Sequence, residues 1–165
     1  MKRVVIIGPG GSGKSTLARE ISERLDLPVY HLDQHFWKDD WQIRSAEEKT
    51  AILGKIIEED KWVVDGNFDS TLFKERLARA DAMIFLDFPR RINVPRWFKR
   101  VIRNWGKPRQ DMGGNNVEKF DWDYFKILLG KEHRYPKNEL QRLSGNKELF
   151  ILKSPKQVKD FLAKL

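Results

Sequence analysis

Gly8-x-x-x-x-Gly13-Lys14-Ser15 is the stretch whose residue types and spacing point most directly to chemistry, and Thr16 follows it at once. Glycines let backbone N–H groups turn inward and come close to phosphate oxygens. The start of a helix adds unpaired donors and about half a positive charge. Lys14 has the reach for β- and γ-phosphates, and the Ser15 hydroxyl is a ligand for Mg²⁺. Gly8, Pro9, Gly10, Gly11, Ser12, Gly13, Lys14, Ser15 and Thr16 are therefore expected to seat the polyphosphate of ATP. The bland alternative, a glycine-rich turn before a helix, explains neither the Lys-Ser pair nor the flanking pattern.

A phosphate loop works only when a strand delivers it and a helix leaves it. Val4-Val5-Ile6-Ile7 is a run of β-branched apolar residues suited to a strand buried on both faces. Leu17, Ala18, Ile21 and Leu25 recur at helical spacing, which predicts a helix over about 14–25. Three more apolar runs end near an acid or a helix cap. Val29-Tyr30-His31-Leu32 closes on Asp33, Trp62-Val63-Val64 on Asp65, and Met83-Ile84-Phe85-Leu86 on Asp87. In open α/β sheets ligands sit at the carboxyl ends of strands, so these acids are placed to face the loop. Asp33 is a candidate to accept a proton from a substrate hydroxyl or to hold a Mg²⁺-bound water; a turn or capping role is its alternative. Either Asp65 or Asp87 orients the metal water, and Asp65 is favoured. A fifth strand is expected at Leu149–Leu152. A last helix is opened by a Ser154 cap, Pro155 in its first turn and Gln157 at the box position.

Between the second strand and the next helix, Gln34 to Trp41 holds three aromatics and fits neither period. They suit stacking on a ring-bearing substrate and equally a satellite core. His31 and His35 lack partners at metal spacing and read as structural residues or as supports for site residues. Ser45-Ala46-Glu47-Glu48 is a capping box that starts a helix running to about Asp60, worth roughly 1 kcal/mol. Helices are also expected over about 70–79 and 121–134, and one from about Pro95 to Trp105, since proline starts a helix more readily than it sits inside one. Residues 104–120 are rich in glycine and asparagine and flanked by arginines, the composition of a lid.

Bulk properties set limits. At 165 residues the chain is expected to form one domain that buries roughly 70% of its unfolded surface. It has no cysteine, which excludes a disulfide framework and thiolate metal sites. No apolar run approaches a membrane span and no leader pattern precedes the first strand, so a cytoplasmic protein is expected. The net charge of +8 is uneven: residues 1–87 carry −3 and residues 88–165 carry +11. From Arg90 to Arg109 there are basic residues and no acid. Such a stretch clamps substrate phosphates, binds nucleic acid, or is simply a solvated helix face.

Taken together, GPGGSGKST, VYHLD, WVVDGN, IFLDFPR, the arginine-rich helix, KPRQDM and LFILKSPKQV resemble the DNA topology modulation (FlaR-related) family, itself similar to adenylate kinase and other P-loop small-molecule kinases. The resemblance covers nearly the whole chain. It implies a three-layer α/β fold with a five-stranded parallel sheet in the order 2-3-1-4-5, flanked by helices, with a small lid. By the same resemblance Asp65 is the metal-water acid, and Arg100, Arg103, Arg109 and Arg134 serve the transferring phosphoryl group. Ser154, Pro155 and Lys156 lie against the adenine ring, and 34–60 is the acceptor-binding region. The expected function is an ATP- and Mg²⁺-dependent phosphotransferase acting on a nucleotide, a nucleoside or another small molecule. An ATP-regulated nucleic-acid binder, with Trp97 and Trp105 stacking bases, is the alternative. A switch GTPase is disfavoured by the absence of an Asn-Lys-x-Asp string.

Overall fold

Val4, Val5, Ile6 and Ile7 are entirely shielded from solvent. They lie in the middle strand of a parallel sheet, in a computed structural model that describes residues 1–68, 70–108, 112–130 and 137–165. In chain order the elements are β1 (Arg3–Ile7), α1 (Lys14–Leu25), β2 (Val29–His31), α2 (Leu32–Phe36), a 3-10 turn (Asp39–Trp41), α3 (Ala46–Glu58), β3 (Trp62–Asp65), α4 (Phe73–Arg79), β4 (Ala82–Leu86), α5 (Arg90–Asn104), α6 (Trp122–Leu129), α7 (Lys137–Ser144), β5 (Glu148–Leu152) and α8 (Pro155–Leu162). The sheet order is β2-β3-β1-β4-β5 with every pair parallel, as expected.

Alternation along the strands divides the core into two layers. Val5, Ile7, Val64, Met83 and Phe85 face Leu53, Ile56 and Ile57 of α3 and Phe73 and Leu77 of α4. Val4, Ile6, Val63, Ile84 and Leu86 face Leu17, Ala18 and Ile21 of α1 and Phe161 and Leu162 of α8. At about 25 cal/mol per Å² of apolar area removed from water, these two layers are the main source of stability. A third, smaller cluster joins Trp97 and Val101 of α5 to Leu128 of α6, with Phe120, Tyr124 and Phe125 around it.

Capping signals read from the sequence account for the starts of α3 and α8. Ser45 caps α3 by accepting from the Glu48 N–H, and the Glu48 side chain accepts in return from the Ser45 N–H. Ser154 caps α8 by accepting from the Gln157 N–H at 3.3 Å. The structure departs from expectation at several places. Helix α5 begins at Arg90 and contains Pro95, where a start at Pro95 was expected. The missing Pro95 N–H leaves the Arg91 carbonyl without its helical donor, at a residue that is exposed. The aromatic stretch after β2 contains a short helix, α2, whose Leu32 and Phe36 are both fully buried. Helix α4 starts late because Leu72 takes a left-handed conformation, φ +43°, at its N-cap. Helix α6 stops at Leu129, with Asp121 as its cap accepting from the N–H groups of Asp123 and Tyr124. Helix α7 was not anticipated. Its Leu140 is buried against the face shared by Leu53 and Leu77, a contact that local spacing alone does not announce. Among the described residues no helix is long and apolar enough to cross a membrane.

Candidate active site

The carboxyl ends of β1, β2 and β3 meet at one point. Ile6 pairs with Asp65 across the sheet, and Asp65 pairs with His31 on its other side. The loop Gly8–Gly13 leaves β1 at that point and turns into α1. Gly11 adopts φ +74°, and a Cβ there would meet the Asn93 carbonyl oxygen at 2.4 Å, so only glycine fits. Gly13, the N-cap of α1, sits at φ +92° with open space around the position of a Cβ. Its left-handed backbone and the helix start behind it make a concave array of amides of the kind that binds anions.

Side chains complete the loop. The Lys14 Nζ donates to the carbonyls of Gly8 at 2.8 Å and Pro9 at 3.2 Å. The Gly8 N–H donates to Asn67 Oδ1 at 3.1 Å, tying the loop to the end of β3. The Ser15 hydroxyl donates to Asp65 Oδ2 at 2.8 Å. The other oxygen of Asp65 is hydrogen-bonded to His31 Nδ1, and both residues are buried. The structure therefore brings Ser15 and Asp65 together. Asp87 follows β4, on the other side of β1: its N–H donates to the Leu152 carbonyl, and it lines a small pocket with Pro9, Phe88 and Asn93.

A hydroxyl and a carboxylate form a hard-oxygen donor pair suited to Mg²⁺, which keeps waters and shares its remaining positions with phosphates. Among the described residues no group of three His, Asp or Glu is arranged to hold a metal. The amide-lined loop fits the polyphosphate end of a nucleotide.

The loop opens into a cleft with about 1840 Å³ of solvent-accessible space. One wall carries Asp33, Gln34, Trp37, Trp41 and Phe68; the other carries Arg96, Arg100 and Arg103 of α5, with Lys107 beyond. Asp33 falls in the first turn of α2 rather than at a strand end. Arg100 is paired at 3.4 Å with Glu118, a buried carboxylate from the following loop. Arg96 lies over the Phe88 ring with its guanidinium carbon 5.6 Å from the centroid. Arg109 and Arg134 lie outside the described residues. Ser154, Pro155 and Lys156 are not among the residues that line the cleft; Ser154 spends its hydroxyl on capping α8. Trp97 is buried at 2% exposure and stacks with Phe125, so it has no face to offer a base; Trp105, at 60%, does.

The glycine-rich loop at 112–116 is docked, not loose. The Asn116 side chain is fully buried, donates to the carbonyls of Lys38 at 2.7 Å and Gly113 at 2.5 Å, and accepts from the Trp41 N–H at 2.5 Å. The Gly113 N–H donates to the Asp33 carbonyl at 3.2 Å. A Cβ on Gly113 would meet the carbonyl oxygens of Gln34 and Trp37 at 2.2 Å. The loop thus braces the α2 wall. Behind that wall His35 is half-buried; burial, and then the neighbouring charges of His31 and Arg44, hold its pKa below the ordinary imidazole value.

Sequence reasoning did not name Asn67, Asn116, Glu118 or Tyr124 as site residues. Asn67 stood within WVVDGN, immediately after the favoured acid. The Tyr124 hydroxyl lies 2.0 Å from where a Cβ on Gly10 would be, over the phosphate loop, a contact made across the fold with no trace in local spacing.

No protein-family model matches the chain. It is 29% identical over 110 residues to the adenylate kinase of Thermosipho africanus, a match covering 63% of this chain and 48% of that protein. It is 27% identical over 133 residues to the shikimate kinase of Rhodococcus jostii, covering 72% and 75%. The chain thus spans about half the length of the adenylate kinase it matches. The structure superposes on shikimate kinase from Acinetobacter baumannii, solved in complex with shikimate, with a TM-score of 0.61 at 16% identity, covering 99% of this chain and 90% of that one. The three-layer parallel fold is that of the P-loop kinases.

Proposed function

We propose that this chain is an ATP-dependent phosphotransferase for a small-molecule acceptor, of the adenylate-kinase-like class. The observation that carries the reading is the Ser15–Asp65 pair at the foot of a glycine-lined loop, opening on a cleft whose lining includes Arg96, Arg100, Arg103 and Asp33. Its sequence relatives are kinases of nucleotide and small-molecule substrates, and its fold is one they share.

On this reading the backbone of Gly11 and Gly13 and the Lys14 ammonium bind the polyphosphate. Ser15 and Asp65 hold Mg²⁺ and its water in place. Mg-ATP supplies the phosphoryl group when bound. Arg100, released from Glu118, and Arg103 neutralise charge on that group, together with Arg109 and Arg134. Loose phosphoryl-transfer transition states depend on such positioning and charge, and one well-placed arginine is worth roughly 10³–10⁵ in rate. Asp33 orients the acceptor hydroxyl or takes its proton. The acceptor is a nucleotide, a nucleoside or another small molecule bound against Trp37, Trp41 and Phe68.

The test is a mass-shift screen of nucleotides, nucleosides and small alcohols with Mg-ATP. The intact chain is expected to yield a phosphorylated product, and Lys14→Ala to lower its rate at least about 100-fold. A broad panel with no Lys14-dependent product would overturn the reading. ATP-regulated nucleic-acid binding is favoured by one observation, the exposed Trp105 ring between Arg103 and Lys107. Binding to duplex and single strands at rising salt separates the two, because phosphate contacts give a steep log–log slope.

A further inference from the structure

His31 ends β2 directly opposite Asp65 in the sheet register. The residue is 6% exposed and is among those that line the cleft. Nδ1 is hydrogen-bonded to Asp65 Oδ1, while Asp65 Oδ2 accepts from the Ser15 hydroxyl. Both carboxylate oxygens are therefore assigned, one to each neighbour. Ile6, Val64 and Leu32, the adjacent residues on β1, β3 and α2, are wholly buried and apolar. Removing the donor at position 31 takes away the bond on Oδ1 and leaves the Ser15 hydroxyl on Oδ2 to hold the carboxylate against rotation about its Cβ–Cγ bond.

We propose that His31 is a positioning residue for Asp65: its Nδ1 fixes the carboxylate plane so that Oδ2 stays directed at Ser15 and at a metal held there. This rests on the reading of Ser15 and Asp65 as the Mg²⁺ side of a nucleotide site. Groups that orient a ligand from behind commonly alter metal affinity 10- to 100-fold when removed. Position 31 has this role because the parallel register puts β2's last residue beside β3's last residue, where a side chain from one strand reaches the acid of the next.

The geometry selects the variants. In asparagine the amide nitrogen is bonded to Cγ, as Nδ1 is in histidine, so His31→Asn retains a donor in the same place. His31→Leu keeps bulk and removes the donor. The assay is binding of a fluorescent ATP analogue to the intact chain, in EDTA and across a Mg²⁺ titration, with thermal unfolding of each variant alongside. His31→Leu is expected to bind the analogue in EDTA as the wild type does and to need about tenfold more Mg²⁺ for half of the metal-dependent increase. His31→Asn is expected to return to within about threefold of the wild type. An unchanged Mg²⁺ midpoint in His31→Leu overturns the proposal. So does an equal loss with and without Mg²⁺, which marks a structural role only. If His31→Leu lacks a cooperative unfolding transition, His31→Gln, whose nitrogen lies one bond farther out, takes its place with the same expected shift. A wild-type chain with no Lys14-dependent binding brings down the phosphotransferase reading and this role with it; wild-type binding with an unmoved His31 variant brings down this role alone.

Discussion

Replacing Asn116 by alanine should detach the 112–116 loop from the α2 wall while leaving the sheet untouched. The side chain makes three hydrogen bonds to backbone, to the carbonyls of Lys38 and Gly113 and from the Trp41 N–H. It is completely buried, so the alanine variant leaves two acceptors and one donor without their partner. At about 0.5–1.5 kcal/mol net for each bond, the local opening free energy should fall by about 2–4 kcal/mol. By the 1.4 kcal/mol that corresponds to a factor of ten, amide exchange in the docked segment should accelerate roughly 30- to 700-fold. The decisive reporter is the Gly113 N–H. Its acceptor is the Asp33 carbonyl, which the substitution does not alter, so faster exchange there reports undocking rather than the loss of its own bond. Amides of β1 and β4 should exchange as in the wild type. Unchanged protection at Gly113 would refute the bracing role, and an equal loss at Gly113 and in β1 would mean that Asn116 supports the whole fold.

Two pH-dependent effects follow from the charged groups outside the cleft. Asp81 is desolvated by burial, which raises its pKa, but hydrogen bonds from Arg3 and from the N–H groups of Lys2 and Arg3 outweigh this and hold it below the ordinary carboxylate value. Its contribution is therefore present above about pH 4 and lost as pH falls through the lower folded value; Asp81→Asn should cost about 1 kcal/mol in urea unfolding at pH 7 and progressively less as the solution is acidified below about pH 4, with a cost that does not change with pH as the refuting result. His35 carries a depressed pKa in the folded chain, so the unfolded chain takes the proton first and stability should decline as pH falls below about 6.5. His35→Gln should flatten that part of the profile in thermal unfolding between pH 7.5 and 5, and parallel profiles would show that another group is responsible.

How far the sequence could be read depended on whether a signal was local. Val4–Ile7 running into glycine, the Lys14–Leu25 spacing and the Ser45 box are each complete within a few residues, and each became the expected element. The sheet order came from the resemblance. Two proline and aromatic signals misled because tertiary packing overrode them: α5 continues through Pro95 since Trp97 and Val101 anchor it to α6, and α2 forms because Leu32 and Phe36 share a buried face. Sequence offered Asp65 and Asp87 as strand-end acids and favoured Asp65; the register, which sets Asp65 between Ile6 and His31 and within reach of Ser15, was not legible there. Arg100 was legible as a cation in the cleft, but its pairing with Glu118 depends on a loop that folds back across the helix.

The proline within α5 has one more bearing. Arg96, Arg100 and Arg103 all follow it in the chain, on the side of the missing backbone bond where Trp97 is wedged among Phe120, Tyr124 and Phe125. The three guanidinium groups accordingly project from one helical segment, and what seats that segment on the rest of the molecule is the aromatic wedge rather than an unbroken backbone ladder.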